Sequence, residues 1–186
     1  MMSRVPILLL LIAALLQVRE PGGAGVRPFE PAGAANVLFF VASDCPISNG
    51  YAPEIQRVCG AYAPHGVRCL LVYEDPDLTA AAMRAHLDEY RYGAMPAAID
   101  ADGRIAARAG ATITPEVAVV DGAGAVRYRG RIDNKYESLG RQRRNVTVHD
   151  LTGALDAVVA RRPVAVAGTQ AIGCAIVPPD LRRKNR

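Results

Sequence analysis

A chain of 186 residues, 51% apolar and 22% charged, is long enough for one domain with a sizeable core and is not globally disordered. Its net charge of +4 is partly concentrated in Arg141, Arg143, Arg144 and in the terminal Arg182, Arg183, Lys184 and Arg186. No aromatic residues interleave them, so they read as solvated surface and nucleic acid is not indicated as a partner.

Residues 1–25 read as a signal peptide or an N-terminal anchor. Arg4 supplies a positive start, Val5 to Leu16 is an apolar run, and polar, glycine-rich sequence follows. That run is short for a membrane span, and no clean Ala-x-Ala site follows it, so the membrane is a partner only if the segment stays uncleaved. The expected location is extracytoplasmic, periplasmic or secreted, where disulfides persist. Residues 26–35, rich in Gly, Pro and Ala, read as a linker.

Residues 36–162 carry the pattern of a folded domain. Residues 36–41 and 67–73 are short apolar runs of strand type, the second expected to be buried on both faces. Between them, residues 48–62 predict a helix kinked at Pro53. Residues 77–91 predict a helix capped by Asp77 or Thr79, with Leu78, Ala82, Ala85 and Leu87 as its apolar stripe. A short strand at 96–99 and a short helix from 103 to 109, closed by Gly110, follow. Residues 116–120 and 125–131 flank Asp121-Gly122-Ala123-Gly124 as a hairpin, with Arg127, Arg129 and Arg131 on one face as a charged sheet edge. Residues 150–161 predict an amphipathic helix with Leu151, Leu155, Val158 and Val159 inward. Residues 163–186 form a tail carrying Cys174. The sum is an α/β fold, a mixed central sheet with helices on both faces.

Four cysteines, Cys45, Cys59, Cys69 and Cys174, allow three pairings if all are oxidised. Cys45 stands where an apolar strand ends and a helix begins, a position that favours its thiolate. Asp44 beside it either opposes that thiolate or caps the helix. Cys59 and Cys69 read as interior thiols or as a short structural bridge. His65 reads as loop, His86 as helix surface, His149 as a residue of the last helix's capping region, and Glu54 as a solvated helix residue. Asn145-Val146-Thr147 matches a glycosylation sequon.

Three local matches make this chain resemble the thioredoxin fold. Cys45-Pro46-Ile47-Ser48 stands in the place of Cys-x-x-Cys, Ala52-Pro53 in the place of the helix-kinking proline, and Thr114-Pro115 in the place of the proline that faces the motif. The stretch from motif to proline suits the redoxin branch related to alkyl hydroperoxide reductase/thiol-specific antioxidant proteins. Asp44-Cys45-Pro46-Ile47-Ser48-Asn49, Arg129-Gly130-Arg131-Ile132-Asp133 and Gly173-Cys174-Ala175-Ile176 are similar to exported bacterial redoxin-domain proteins. The resemblance implies a cis Thr114–Pro115 bond, Cys45 as the redox-active thiol, Pro115 as a docking residue and no organic cofactor. Two departures stand out. Ser48 replaces the second thiol, and Leu38 and Ala42 replace the proline and hydroxyl residue of the peroxiredoxin pattern.

The site residues expected from this reading are therefore Cys45, Ser48 as a hydrogen-bond donor to its thiolate, Pro115, and Cys174 as the resolving thiol. Cys174 lies in a glycine-flanked tail able to fold back, whereas Cys59 lies more than two helical turns from Cys45. The function expected is exported thiol–disulfide oxidoreductase or antioxidant-type redoxin, with a protein or small-molecule thiol or disulfide, or an electron-transfer protein, as partner. Two alternatives are a copper-binding or metallochaperone module using Cys45 and Cys174, with His149 as an optional third ligand, and a non-catalytic adaptor docking a redox partner through the hairpin arginines.

Overall fold

The computed structural model describes residues 27–31 and 33–177. The expected signal segment lies outside these residues, as does the end of the tail. In chain order the elements are β1 (Ala35–Val41), α1 (Pro46–Gly50), α2 (Ala52–Tyr62), a 3₁₀ turn at Ala63–His65, β2 (Val67–Tyr73), α3 (Ala80–Glu89), β3 (Ala97–Ile99) and α4 (Arg104–Ala109). Then come β4 (Ile113–Thr114), β5 (Glu116–Asp121), β6 (Val126–Gly130), β7 (Tyr136–Ser138), β8 (Arg141–Gln142), α5 (Asp150–Val159) and β9 (Cys174–Ala175).

The central sheet has the order β3-β2-β1-β5-β6. β1, β2 and β3 run parallel, while β5 is antiparallel to both β1 and β6. This is the expected α/β thioredoxin-like fold with a mixed sheet. All seven residues of β1 are buried, because side chains alternate between two covered faces. Val37, Phe39 and Val41 face one cluster with Ile55 and Val58 of α2, Met83 of α3, and Leu151 and Leu155 of α5. Leu38 and Phe40 face the other, with Ile105, Ala106 and Ala109 of α4. Phe29 also packs in that second cluster, under the Arg108 guanidinium, although it lies in the stretch read as linker. Asn36 donates to the carbonyls of Arg27 and Pro28, which fixes that stretch to β1.

Several local expectations need correction. The helix expected over 48–62 starts earlier and is divided at Tyr51, with Pro53 in the first turn of α2. Proline there has no N–H to offer Asn49 and its ring would strike that carbonyl, whereas the first turn of a new helix tolerates it. α3 is shorter than expected, and its cap is Thr79, whose hydroxyl accepts from Ala82 N at 3.1 Å. Ala82 and Ala85 are exposed, while Met83, His86 and Leu87 face inward. Small alanines carried little weight in choosing the face; one methionine and one leucine did. β2 is buried from Leu70 to Tyr73 but exposes Arg68.

Cys59 and Cys69 form a disulfide between the end of α2 and β2. Closing so short a loop contributes about 3 kcal/mol in the chain-entropy account. The three arginines expected on an open edge are each paired: Arg127 with Asp121, Arg129 with Glu116 and Arg131 with Asp150. The edge itself is partly covered, since Arg129 N donates to Ala167 O and Thr169 N to Arg129 O as the tail runs beside β6.

Candidate active site

β1 delivers the chain to a loop that ends at Cys45, the N-cap residue of α1. Cys45 is only 1% exposed. Asp44, weighed as a helix cap, does not cap; it is exposed, and its charge helps to raise Cys174. The tail brings Cys174 onto the site, with its Sγ 3.0 Å from Cys45 Sγ. Both are free thiols, and 129 residues of chain separate them.

The two sulfurs differ in charge preference. Burial would push the Cys45 thiol up, but hydrogen bonds from Cys174, from Ser48 N–H and hydroxyl, and from Ile47 N–H outweigh it and hold the group below its ordinary value. Cys174 is pushed up to about 11, first by its hydrogen bond to Cys45, then by burial, then by the charges of Cys45 and Asp44. Of the two thiols Cys45 therefore gives up its proton first, and Cys174 keeps its own. When Cys45 is itself protonated, Thr114 O accepts from its Sγ at 3.4 Å.

Ser48 is buried beside the thiol, and its oxygen also accepts from Ala42 N at 3.5 Å. The Thr114–Pro115 bond is cis. β4 pairs antiparallel with β9, placing Thr114 opposite Cys174 and Ile113 opposite Ala175. Cys45, Ser48, Thr114-Pro115 and Cys174 thus come from β1–α1, the segment before β5, and the tail, and they meet at one point.

Residues not singled out from sequence hold this arrangement. Glu116, 2% exposed, accepts from Thr112 N at 2.7 Å and Ile113 N at 3.3 Å through one oxygen, and from Arg129 through the other. Asn49 donates to Ser43 O at 3.0 Å and accepts from His86 Nε2 at 3.0 Å, while Tyr73 donates to His86 Nδ1 at 2.8 Å. His86 is therefore buried, not on the helix surface as expected. Burial keeps it below the usual histidine range despite the opposing charge of Glu89, which fits a neutral ring donating at one nitrogen and accepting at the other. Tyr136 lies close enough for the charge of Cys45 to act on its hydroxyl.

His149 does not join the two cysteines as a third copper ligand. Among the described residues, the trio of ligand atoms close enough to share an ion is Glu54, Asp133 and His149, within 4.8 Å of one another. His149 thus sits with carboxylates rather than with Cys45 and Cys174. These carboxylates already have partners: Arg57 for Glu54, and Tyr51 and the Lys135 N–H for Asp133.

Replacing Cys174 by alanine removes the strongest of the bonds that lower Cys45. The thiol is then expected to titrate at higher pH, so the pH profile of its reaction with a small disulfide reagent should move upward. A profile that stays in place or moves down would contradict this account of the pair.

No curated protein matches the chain. Among solved structures it is similar to a hypothetical protein from Sinorhizobium meliloti 1021, with TM-score 0.71 and 25% identity over 86% of this chain and 88% of that one. It is equally similar to an uncharacterized conserved protein from Geobacillus kaustophilus, with TM-score 0.72 and 25% identity over 88% of each chain. A secreted Mycobacterium tuberculosis disulfide oxidoreductase homologous to E. coli DsbE shares the fold, with TM-score 0.53 and 21% identity over 79% of this chain and 96% of that one. The match to a sequence family is to Redoxin over residues 26–146, which takes in Cys45 and Pro115, stops before Cys174, and does not single out the alkyl hydroperoxide reductase/thiol-specific antioxidant branch. A cysteine at the start of α1, a cis-proline next to the Thr114 whose carbonyl meets its sulfur, and a family match over most of the length place this chain in the Redoxin family.

Proposed function

We propose that the protein is an extracytoplasmic thiol–disulfide oxidoreductase in which Cys45 reacts with the partner and Cys174 resolves the product. The observation that carries this reading is the 3.0 Å approach of two free thiols, one lowered and one raised from its ordinary pKa.

The Cys45 thiolate attacks one sulfur of a partner disulfide, forming a mixed disulfide and releasing the other sulfur as thiolate. Cys45 then no longer bears a charge, so the largest influence raising Cys174, its hydrogen bond to the Cys45 thiolate, is lost together with that charge. Cys174 passes its proton to the first partner thiolate released, attacks Cys45 Sγ and expels the partner's remaining sulfur, which takes its proton from water. The protein dithiol has become a disulfide, the partner disulfide a dithiol, and two electrons have moved. An external dithiol restores the starting state; run backwards, the same steps oxidise a partner dithiol. Ser48 stabilises the Cys45 thiolate, and Pro115 borders the surface where the partner docks. A narrower, peroxide-reducing role draws less support, because Ala42 offers no hydroxyl to hold a peroxide.

The apolar N-terminal run and the Cys59–Cys69 bridge both support work in an oxidising compartment after export. The partner is a protein or small-molecule thiol or disulfide.

The test is to map disulfides by mass spectrometry across glutathione buffers of rising oxidising power. Cys45–Cys174 should form and break reversibly while Cys59–Cys69 persists. If Cys45 stays a free thiol throughout, the reading fails.

A further inference from the structure

Residues 173–176 lie on the site as a bound peptide would. They run antiparallel to residues 112–114, with Ile176 N donating to Thr112 O at 2.9 Å and the Thr114 hydroxyl donating to Cys174 O at 3.4 Å. The fit before the cysteine is tight. A Cβ on Gly173 would overlap the backbone oxygen of Thr114 and lie 3.1 Å from Pro115 Cδ. Only glycine allows the segment this close, because the obstacle is backbone rather than a side chain that could swing away. With the tail seated, Cys45 is 1% exposed, and its neighbour sulfur belongs to Cys174. An outside disulfide has no route to Cys45 until that segment lifts.

A second fastening keeps the tail near when it does. The Thr169 hydroxyl bonds with Tyr128 at 2.7 Å and accepts from Arg131 N at 3.0 Å, and a Cβ on Gly130 would strike Thr169. Gln170 to Ile172 connect this anchor to the cysteine segment.

We infer that Gly173-Cys174-Ala175-Ile176 is a built-in occupant of the Thr112–Pro115 edge where the external substrate docks, and that this substrate is a disulfide in an extended segment with glycine immediately before the reacting cysteine. This rests on the reading of Cys45 as the reacting sulfur. Substrate and resolving thiol use one edge in turn. The substrate segment displaces the tail, and Cys45 thiolate takes its sulfur and releases the substrate's second sulfur as thiolate. The tail then returns, and Cys174 attacks Cys45 and expels the first sulfur. A tethered occupant competes at a local concentration in the millimolar range, so a segment that matches the edge displaces it faster than one that does not.

The experiment uses full-length protein in two forms, Cys174→Ser and Cys174→Ser with Gly173→Ala. The probes are peptides of sequence Ala-Ile-Gly-Cys-Ala-Ile and a twin with alanine for glycine, each carrying a chromogenic aromatic thiol in mixed disulfide on its cysteine. Attack by Cys45 joins the peptide to the protein and releases the aromatic thiolate, the better leaving group. Overpacking by one methyl group costs about 1–3 kcal/mol, and each 1.4 kcal/mol is a factor of about ten. The double variant, with its own tail unseated, should therefore react with the glycine peptide about tenfold faster than the single variant does. Within the double variant the glycine peptide should outpace its twin about tenfold. The same preference is expected, more slowly, in the single variant, whose tail contacts are intact. Equal rates in the two variants, or equal rates for the two peptides, would overturn the inference. No thiol release from either peptide in either variant would overturn the underlying assignment of Cys45 as well.

Discussion

Cys174→Ser is expected to arrest the protein as a stable mixed disulfide on Cys45. In the unchanged protein the resolving sulfur waits 3.0 Å from the sulfur it will attack. Well-placed groups of this kind act at effective molarities of about 10⁵ M or more, whereas an external thiol at millimolar concentration must collide with a buried bond. Resolution should therefore slow by at least about 10³-fold, even allowing for tail motion that dilutes the advantage. Serine keeps the size and the backbone contacts of the tail, so the loss is chemical. Cys59 and Cys69 are tied to each other, which leaves Cys45 as the sulfur able to hold the adduct. Intact-mass measurement after mixing reduced protein with oxidised glutathione should show a lasting adduct on Cys174→Ser, a disulfide without adduct on the unchanged protein, and no new internal disulfide on Cys45→Ser. If Cys174→Ser clears its adduct as fast as the unchanged protein, Cys174 is not the resolving thiol.

Much of the scaffold that presents Cys45 is legible in local sequence. The run Val37 to Val41 is apolar at every position, and that suffices to place a strand covered on both faces. The turn at Asp121–Gly124 carries its own chemistry, with the Asp121 side chain accepting from the N–H groups of Ala123 and Ala125. Gly110 closes α4 with φ 76°, a conformation glycine adopts freely. These features depend on neighbours within a few residues.

What escaped reading depends on partners far along the chain. His86 lies two residues from Arg84 and two from Asp88 on α3, and nothing local announces that Tyr73 and Asn49 will take both of its nitrogens. The three arginines of the hairpin alternate as an exposed edge should. Their pairing with Glu116, Asp121 and Asp150, and the tail that lies along them, follow from packing. His149 stays away from the two cysteines for the same reason, since it belongs to the start of α5 and faces Glu54 and Asp133. The approach of Cys174 to Cys45 was foreseeable from the glycine beside it, but the closeness of fit at Gly173 is a property of Thr114 and Pro115.

Glu116→Ala is expected to damage both stability and the site, and by more than any surface change in the hairpin. The side chain is 2% exposed, and its two oxygens hold Thr112 N, Ile113 N and the Arg129 guanidinium. Arg129 is partly solvated, so the ion pair is screened and the two backbone N–H groups are the larger loss. Leaving these donors without an acceptor, beside a cation that has lost its counter-charge, should cost about 3 kcal/mol in chemical denaturation. The consequence for the site follows from position. Thr112 and Ile113 lead directly into Thr114, whose carbonyl touches Cys45 and whose strand pairs with Cys174. With the carboxylate gone, the edge that seats the tail loosens, and Cys45–Cys174 formation in an oxidising buffer should slow about tenfold if seating weakens by about 1.4 kcal/mol. Glu116→Gln separates the two contributions. It retains an oxygen for the N–H groups but removes the charge opposite Arg129, so it should lose less stability and keep near-normal disulfide formation. If Glu116→Ala unfolds within about 1 kcal/mol of the unchanged protein, the carboxylate is not what holds the edge. If it is destabilised yet forms the disulfide at the usual rate, the edge is held in place by the tail itself, through the pairing of Thr114 with Cys174.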